Sequence, residues 1–359
     1  MRRKGNVVGG SSAVRPARAY IGSFTSAGGD GITTAAVDPG SGALTPLHST
    51  DDLADPSFLA VAAAGDVLYA VSETENGAVA AFDLTRDTDR RPTPGGTALV
   101  RGRGPTHLAV AGGHLLVANY GSGSVTTLPL RADGTFDRGG HVLRHEGGGP
   151  HPERQEAPHA HAVLPDPTGR WVLSVDLGTD SVRICALDPE AGALALHHEV
   201  RLRPGSGPRH LAFHPHGDRA YVINELVPTL TTCRWNGETG ELVPVTETAV
   251  LPEGEGEVTY PSEVVIAPDG RFAWTANRGH DSLAVLALDG EGDRPRRVGQ
   301  VPCGGRWPRH LTLDPSGRRL YAANERSGDV TWFDVDRATG MPRRAGSVPA
   351  PAASCVVFG

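Results

Sequence analysis

One pattern recurs along nearly the whole chain and limits what it can fold into. It runs Pro-x-x, short apolar strand, turn, second apolar strand, and a closing Asn, Asp or Glu. Copies start at Pro56, Pro105, Pro158, Pro208, Pro261, Pro308 and, truncated, Pro351, at intervals of 49, 53, 50, 53, 47 and 43 residues. A period near fifty made of strand signals describes a radial β-repeat, in which no unit buries both faces of its sheet alone. The copy at Pro308 reads most plainly. His310–Leu313 alternates, Asp314-Pro315-Ser316-Gly317 turns, and Arg319–Asn324 and Asp329–Val335 form the next strands, with Arg343–Val348 outermost. No segment carries a 3.6-residue apolar period, so helix is not expected.

Six complete copies follow Pro56, and a fragment remains at each end. Residues 353–358 read as one inner strand, while Ala19–Ser23, Gly31–Val37 and Leu44–Ser49 supply three more. Joined, they make a seventh unit that closes the ring and leaves no open sheet edge. The expectation is an all-β, seven-bladed propeller of four-stranded antiparallel blades over residues 19–359, preceded by a disordered tail at 1–18.

Composition serves this reading. Glycine (47) and proline (29) supply the turns, and 38% hydrophobic residues suffice for packed sheets. A net charge of −7 argues against nucleic acid as the main partner. The four cysteines (Cys185, Cys233, Cys303, Cys355) are widely spaced, with no Cys-x-x-Cys. The basic, Gly/Ser-rich residues 1–18 precede no apolar run, and no stretch is long enough to span a bilayer. A cytoplasmic monomer without cofactor, acting on a small molecule and binding neither nucleic acid nor membrane, is the plain expectation.

In each blade the Pro-x-x segment and the end of the second strand reach the same rim of the axial channel. That rim collects Glu73, His107, His159, His161, Arg209, His210, Glu225, Glu263, Asn277, Arg278, Arg309, His310 and Glu325, whereas the opposite turns are of Asp-Pro-x-Gly type. Ionisable groups at one channel mouth suit an anionic ligand. The asparagines ending second strands read as turn caps. His210 and His310 read as packing residues, and His214-Pro215-His216 as inert at the far turn. Arg209 and Arg278 carry more weight, since guanidiniums pointed into a channel need a partner or a ligand; nearby Glu225 could hold either, as a purely structural ion pair. His159-Ala160-His161 resembles a metal pair by alternation, with Asp176 as third ligand, but two imidazoles make no site and no metal is expected. The charged, Gly/Pro-rich stretch 144–157 reads as a lid or a spacer, and Arg154 and Glu156 could reach a ligand from it.

At these residues the chain resembles the seven-bladed β-propeller lactonase family, which includes a bacterial type of 6-phosphogluconolactonase and a fungal carboxymuconate-lactonising enzyme. The resemblance spans roughly residues 19–359. It rests on Pro-His-Ala-His-Ala-Val (158–163) after Glu-Arg-Gln-Glu, on Gly-Pro-Arg-His-Leu-Ala-Phe-His-Pro (207–215), on Val-Ile-Asn-Glu-Leu (222–226) and on Ala-Asn-Arg (276–278). It implies a site of His161, Arg209, Glu225 and Arg278. Leu226-Val227-Pro228 departs from the Gly/Ser-type turn more usual there. On this reading His161 is the base, Arg209 and Arg278 clamp anionic oxygens, and Glu225 either orients them or is itself a base. His159, Arg154, Asn277, Arg309 and Glu325 would contact substrate. Hydrolysis of a sugar-phosphate lactone (6-phosphogluconolactone) is favoured over lactonisation of a carboxylated diene acid, and over a non-catalytic binding propeller.

Overall fold

The computed structural model describes residues 17–252, 254, 258–288 and 290–359. They form seven four-stranded antiparallel sheets arranged in a ring. Blades 1 to 6 run in chain order over residues 59–99, 105–144, 160–201, 208–249, 260–302 and 308–349. Blade 7 joins the two ends of the chain. Its inner strand Ala353–Phe358 pairs with Arg18–Ser23 (Tyr20 opposite Val357, Ile21 opposite Val356), followed outward by Ile32–Val37 and Leu44–Thr50. Most of the expected tail, residues 1–16, lies outside the described residues; Arg18 is already strand, its guanidinium paired with Asp89 at 3.1 Å. Within the described residues the helical content is two single 3₁₀ turns, Thr25–Ala27 and Tyr120–Ser122.

The core lies between blades. Each cluster draws apolar faces from two neighbouring sheets, as where Leu173, Val175 and Ile184 of blade 3 meet Val222, Cys233 and Trp235 of blade 4. A second device recurs in the second strands. An aromatic side chain buries its ring at the interface and donates from its polar tip to a carbonyl in an outer turn of the next blade. Tyr20 reaches Arg90, Tyr69 reaches Gly134, and Tyr221 reaches Gly292; Tyr321 reaches Gly42 at 2.7 Å. Trp274 does the same to Gly340, and the half-buried Trp171, two residues earlier in its own strand, donates to Gly237. Blade 2 has Leu116 at that position, and Thr127 bonds Gly192 instead.

What positions the site is a bulge repeated in the inner strands. Register slips between Pro105 and His107, Ala160 and Ala162, Pro208 and His210, Pro261 and Glu263, and Pro308 and His310. The extra residues are Thr106, His161, Arg209, Ser262 and Arg309. An extra residue re-aims the backbone, so two successive side chains can face the same way. Arg209 and His210, and likewise Arg309 and His310, line one axial cavity although strict alternation would separate each pair. The channel thus receives two tiers. Thr106, His161 and Arg309 face the mouth, Arg209 lies just under it, Ser262 is fully buried, and Phe58, His107, His210, Glu263 and His310 pack beneath.

Candidate active site at the channel mouth

At the mouth is a cavity of about 440 Å³ lined by Glu73, Thr106, Tyr120, Arg154, His161, Glu225, Arg278 and Arg309. Below it a smaller space of about 250 Å³ shares Glu73, Thr106, His161 and Arg309 and adds Arg209, His210 and His310. A larger groove of about 970 Å³ lies between blades 1 and 2, but Arg101, Arg103 and Arg144 there are exposed and no buried ionisable group faces it. The axial cavity is where buried charge converges.

Glu225 is the electrostatic centre. One carboxylate oxygen accepts from Arg154 at 2.5 Å; the other accepts from Arg278 at 2.7 Å and lies 3.1 Å from Arg209 Nε. The Arg209 contact is an ion pair rather than an aligned hydrogen bond, since its Nε–H is not aimed at the oxygen. Burial alone would raise the Glu225 pKa. Arg278, Arg209 and Arg154 outweigh it and hold the carboxyl far below its usual range. Arg209 donates to the Ser262 carbonyl, and burial, then Arg278, pushes its guanidinium down to about 9, still protonated at neutral pH. Arg278 is fixed by the Tyr260 carbonyl at 3.0 Å and lies over the Trp307 ring.

The opposite wall carries Arg309, set 4.8 Å over the Phe24 ring and paired with Glu325 (3.4 Å) and Glu73 (3.6 Å). Glu73 accepts from Ser57, and burial pushes its carboxyl upward. His161 lies between the walls, only 5% exposed, with no hydrogen-bond partner at Nδ1. Burial first, then Arg209 and His210, pushes its imidazole well below the usual histidine value, so the ring is neutral. Tyr120 meets His161 in a T-shaped contact and stacks face to face on His159.

The residues singled out from sequence separate cleanly. His161, Glu225, Arg278, Arg309 and Arg154 line the mouth, Arg209 lies just beneath, and Glu325 backs Arg309. His159 and Asn277 are not on the cavity wall. His159 turns away from His161 at the bulge, stacks on Tyr120 and pairs with Glu156 at 3.2 Å. Asn277 is fully buried and donates across the turn to Ser282, as Asn119 and Asn224 do to Ser124 and Thr229, while Asn324 donates to Thr331 in the third strand. The bulge also undoes the one-face geometry imagined for His159 and His161. Asp176, the third ligand considered, is taken by His145 at 2.5 Å and Arg183 at 3.3 Å. Stretch 144–157 is pinned rather than loose, because the buried Gln155 amide donates to Leu177 and Asp180. That anchor is what carries Arg154 across to Glu225. Thr106 was missed, and Tyr120, which the repeat places on the rim, was given no role; it follows Asn119 where Glu225 follows Asn224, and that shared register was the available signal.

Residues 18–358 match the family model described as lactonase, seven-bladed beta-propeller. A 6-phosphogluconolactonase of Bacillus subtilis is 32% identical over 293 residues, covering 81% of this chain and 83% of the relative. The solved periplasmic gluconolactonase of Pseudomonas aeruginosa superposes with a TM-score of 0.89 at 28% identity, covering 95% of this chain and 98% of that one. A Bacteroides fragilis protein provisionally named a 6-phosphogluconolactonase gives 0.90 at 28% identity, with 97% and 99% covered.

Proposed function

Because this chain belongs to the seven-bladed β-propeller lactonase family, we propose that it hydrolyses a sugar-phosphate lactone, 6-phosphogluconolactone, to the open acid. The observation that carries this reading is the convergence of four guanidiniums on one cavity around a neutral imidazole. Ring opening needs water made nucleophilic, an oxyanion stabilised as it forms, and a grip on the phosphate. Neutral His161 is the base that takes the proton from water. Glu225 is a poor base, since three arginines hold it ionised; its part is to fix Arg209 and Arg278. These two are the most buried of the four site arginines, and donors fixed before reaction suit an oxyanion. Arg154 and Arg309, whose side chains are more open, suit the phosphate, which planar forks bind well.

The cavity is large enough for a small sugar lactone. A cytoplasmic location is supported by four cysteines that are all buried and unpaired. Among the described residues no helix is long and apolar enough to cross a membrane. We also propose that the protein works as a monomer, needs no cofactor and does not engage nucleic acid, as its net charge of −7 suggests. The deciding experiment is consumption of 6-phosphogluconolactone, measured against its spontaneous hydrolysis. Acceleration that disappears in His161→Gln supports the assignment. No acceleration over the blank, or activity indifferent to that change, overturns it.

A further inference from the structure

Beneath His161 lies a set of buried groups that the proposed chemistry does not use. His210 and Glu263 are 5% and 7% exposed, and His210 Nδ1 lies 2.9 and 2.8 Å from the two carboxylate oxygens of Glu263. One of these oxygens also accepts the Val264 backbone N–H at 3.1 Å, and His310 Nε2 lies 3.7 Å from the other. His310 accepts the Val356 N–H on Nδ1, so its Nε2 bears the hydrogen. Burial pushes the Glu263 carboxyl upward, while the Val264 N–H bond and the nearby His310 Nε2–H and Arg209 favour its ionised form; with the carboxyl ionised, the hydrogen between it and His210 rests on His210 Nδ1.

A neutral His210 with its proton on Nδ1 has a bare Nε2, and that nitrogen is buried with no partner. The neighbouring ring is His161, with centroids 5.1 Å apart, and its Nδ1 is the other buried imidazole nitrogen here with no partner. One is an acceptor that needs a donor; the other can be that donor. We propose that Glu263 and His210 form a buried positioning pair that fixes the tautomer of His161: His161 Nδ1–H turns toward His210 Nε2, leaving the His161 Nε2 lone pair free for water. His210 and Glu263 are positioning residues. Their role in catalysis rests on His161 being the base, but the tautomer assignment does not.

The test is two-bond ¹H–¹⁵N correlation NMR on the full-length protein with ¹⁵N-labelled histidine, with His161 identified by its loss in His161→Gln. The wild-type spectrum shows His161 as the Nδ1–H form. His210→Phe removes the acceptor, and the spectrum moves toward the Nε2–H form. His210→Gln, whose amide can both donate to Glu263 and accept from His161, keeps the wild-type pattern. In lactone hydrolysis His210→Phe lowers kcat about tenfold with KM within about twofold, less than the roughly 10²–10⁴ lost with a general base itself. A wild-type His161 protonated on Nε2 overturns the proposal. So does a His161 tautomer unchanged in His210→Phe, which would hand the His210 Nε2 acceptor to His107, whose ring is 5.2 Å away. If the wild type does not hydrolyse lactones but shows the expected tautomers, only the lactonase reading fails.

Discussion

Glu225→Gln probes the reasoning most directly, because it changes one charge and almost no volume. In the wild type the carboxylate lies 2.5 Å from Arg154, 2.7 Å from Arg278 and 3.1 Å from Arg209, at 4% exposure. Gln keeps one acceptor oxygen but leaves three guanidiniums facing one another without a counter-charge. Breaking a buried pair by removing one partner costs about 3–5 kcal/mol. Unfolding entropy near ~2.1 cal/mol/K per residue gives roughly 0.75 kcal/mol/K for a chain of 359 residues, so Tm falls by about 4–7 °C. The folded carboxyl sits far below its ordinary pKa, so its stabilisation is present above the unfolded value near ~4.3 and is lost only as pH falls through the folded one. The gap in Tm between the two proteins therefore holds between about pH 5 and 8 and narrows below about pH 4. Inorganic phosphate offers the uncovered arginines a replacement anion. At about a hundred times its Kd it returns roughly 2.7 kcal/mol, so it raises the Tm of the variant more than that of the wild type. Scanning calorimetry of both proteins, with and without phosphate, measures each quantity. A variant within about 1 °C of wild type and indifferent to phosphate would refute the picture of Glu225 as the counter-ion of a convergent cationic cluster.

Three further outcomes are expected. His161→Gln loses about 10²–10⁴ in kcat while its Tm stays within a few degrees, read by pH-stat titration of the acid released. Burial, Arg209 and His210 keep the His161 imidazole neutral as pH falls through about 6.5, so the wild-type rate corrected for the blank stays flat from about pH 6 to 8, and an acid limb centred near 6.5 would assign the base elsewhere. Arg309→Ala removes a charge-assisted contact of about 1.5–3 kcal/mol, raising KM for the phosphorylated lactone at least about tenfold; equal loss on unphosphorylated gluconolactone would remove Arg309 from the phosphate.

The ring was legible because its evidence is repeated. One weak strand signal decides little, but Arg319–Asn324, Asp329–Val335 and Ala353–Phe358 fall where the period puts them, to the residue. Side chains that meet across the axis were legible only where the motif already grouped them, as with Arg209, Glu225 and Arg278 on blades 4 and 5. Contacts between distant blades were not. Glu73 on blade 1 meets Arg309 on blade 6 because blade 7 completes the ring between them, and no spacing along the chain encodes that pair. The tyrosine and tryptophan ties between blades also escaped notice, since an aromatic residue in a strand looks like ordinary core until the carbonyl facing its polar tip is known.

The bulge is the deeper reason that sequence and geometry part company at the site. Alternation predicts that Arg209 and His210 face opposite ways, and the Pro-x-x repeat, aligned on Pro158 and Pro208, sets Ala160 level with His210. The pairing puts Ala160 opposite Asp176 as Pro208 is opposite Asn224, so His161 shares its register with Arg209 and Arg309, all three at a bulge, and Ala162 with His210. A regular inner strand would offer the axis one side chain in two, too few for both a plug and a reactive surface. Two consecutive inward residues let blade 6 send Arg309 to the mouth and His310 to the plug from adjacent positions. This is how a solid, histidine-packed hub can lie directly under a cavity lined by arginines, and why the group below His161 is a titratable one able to set its proton.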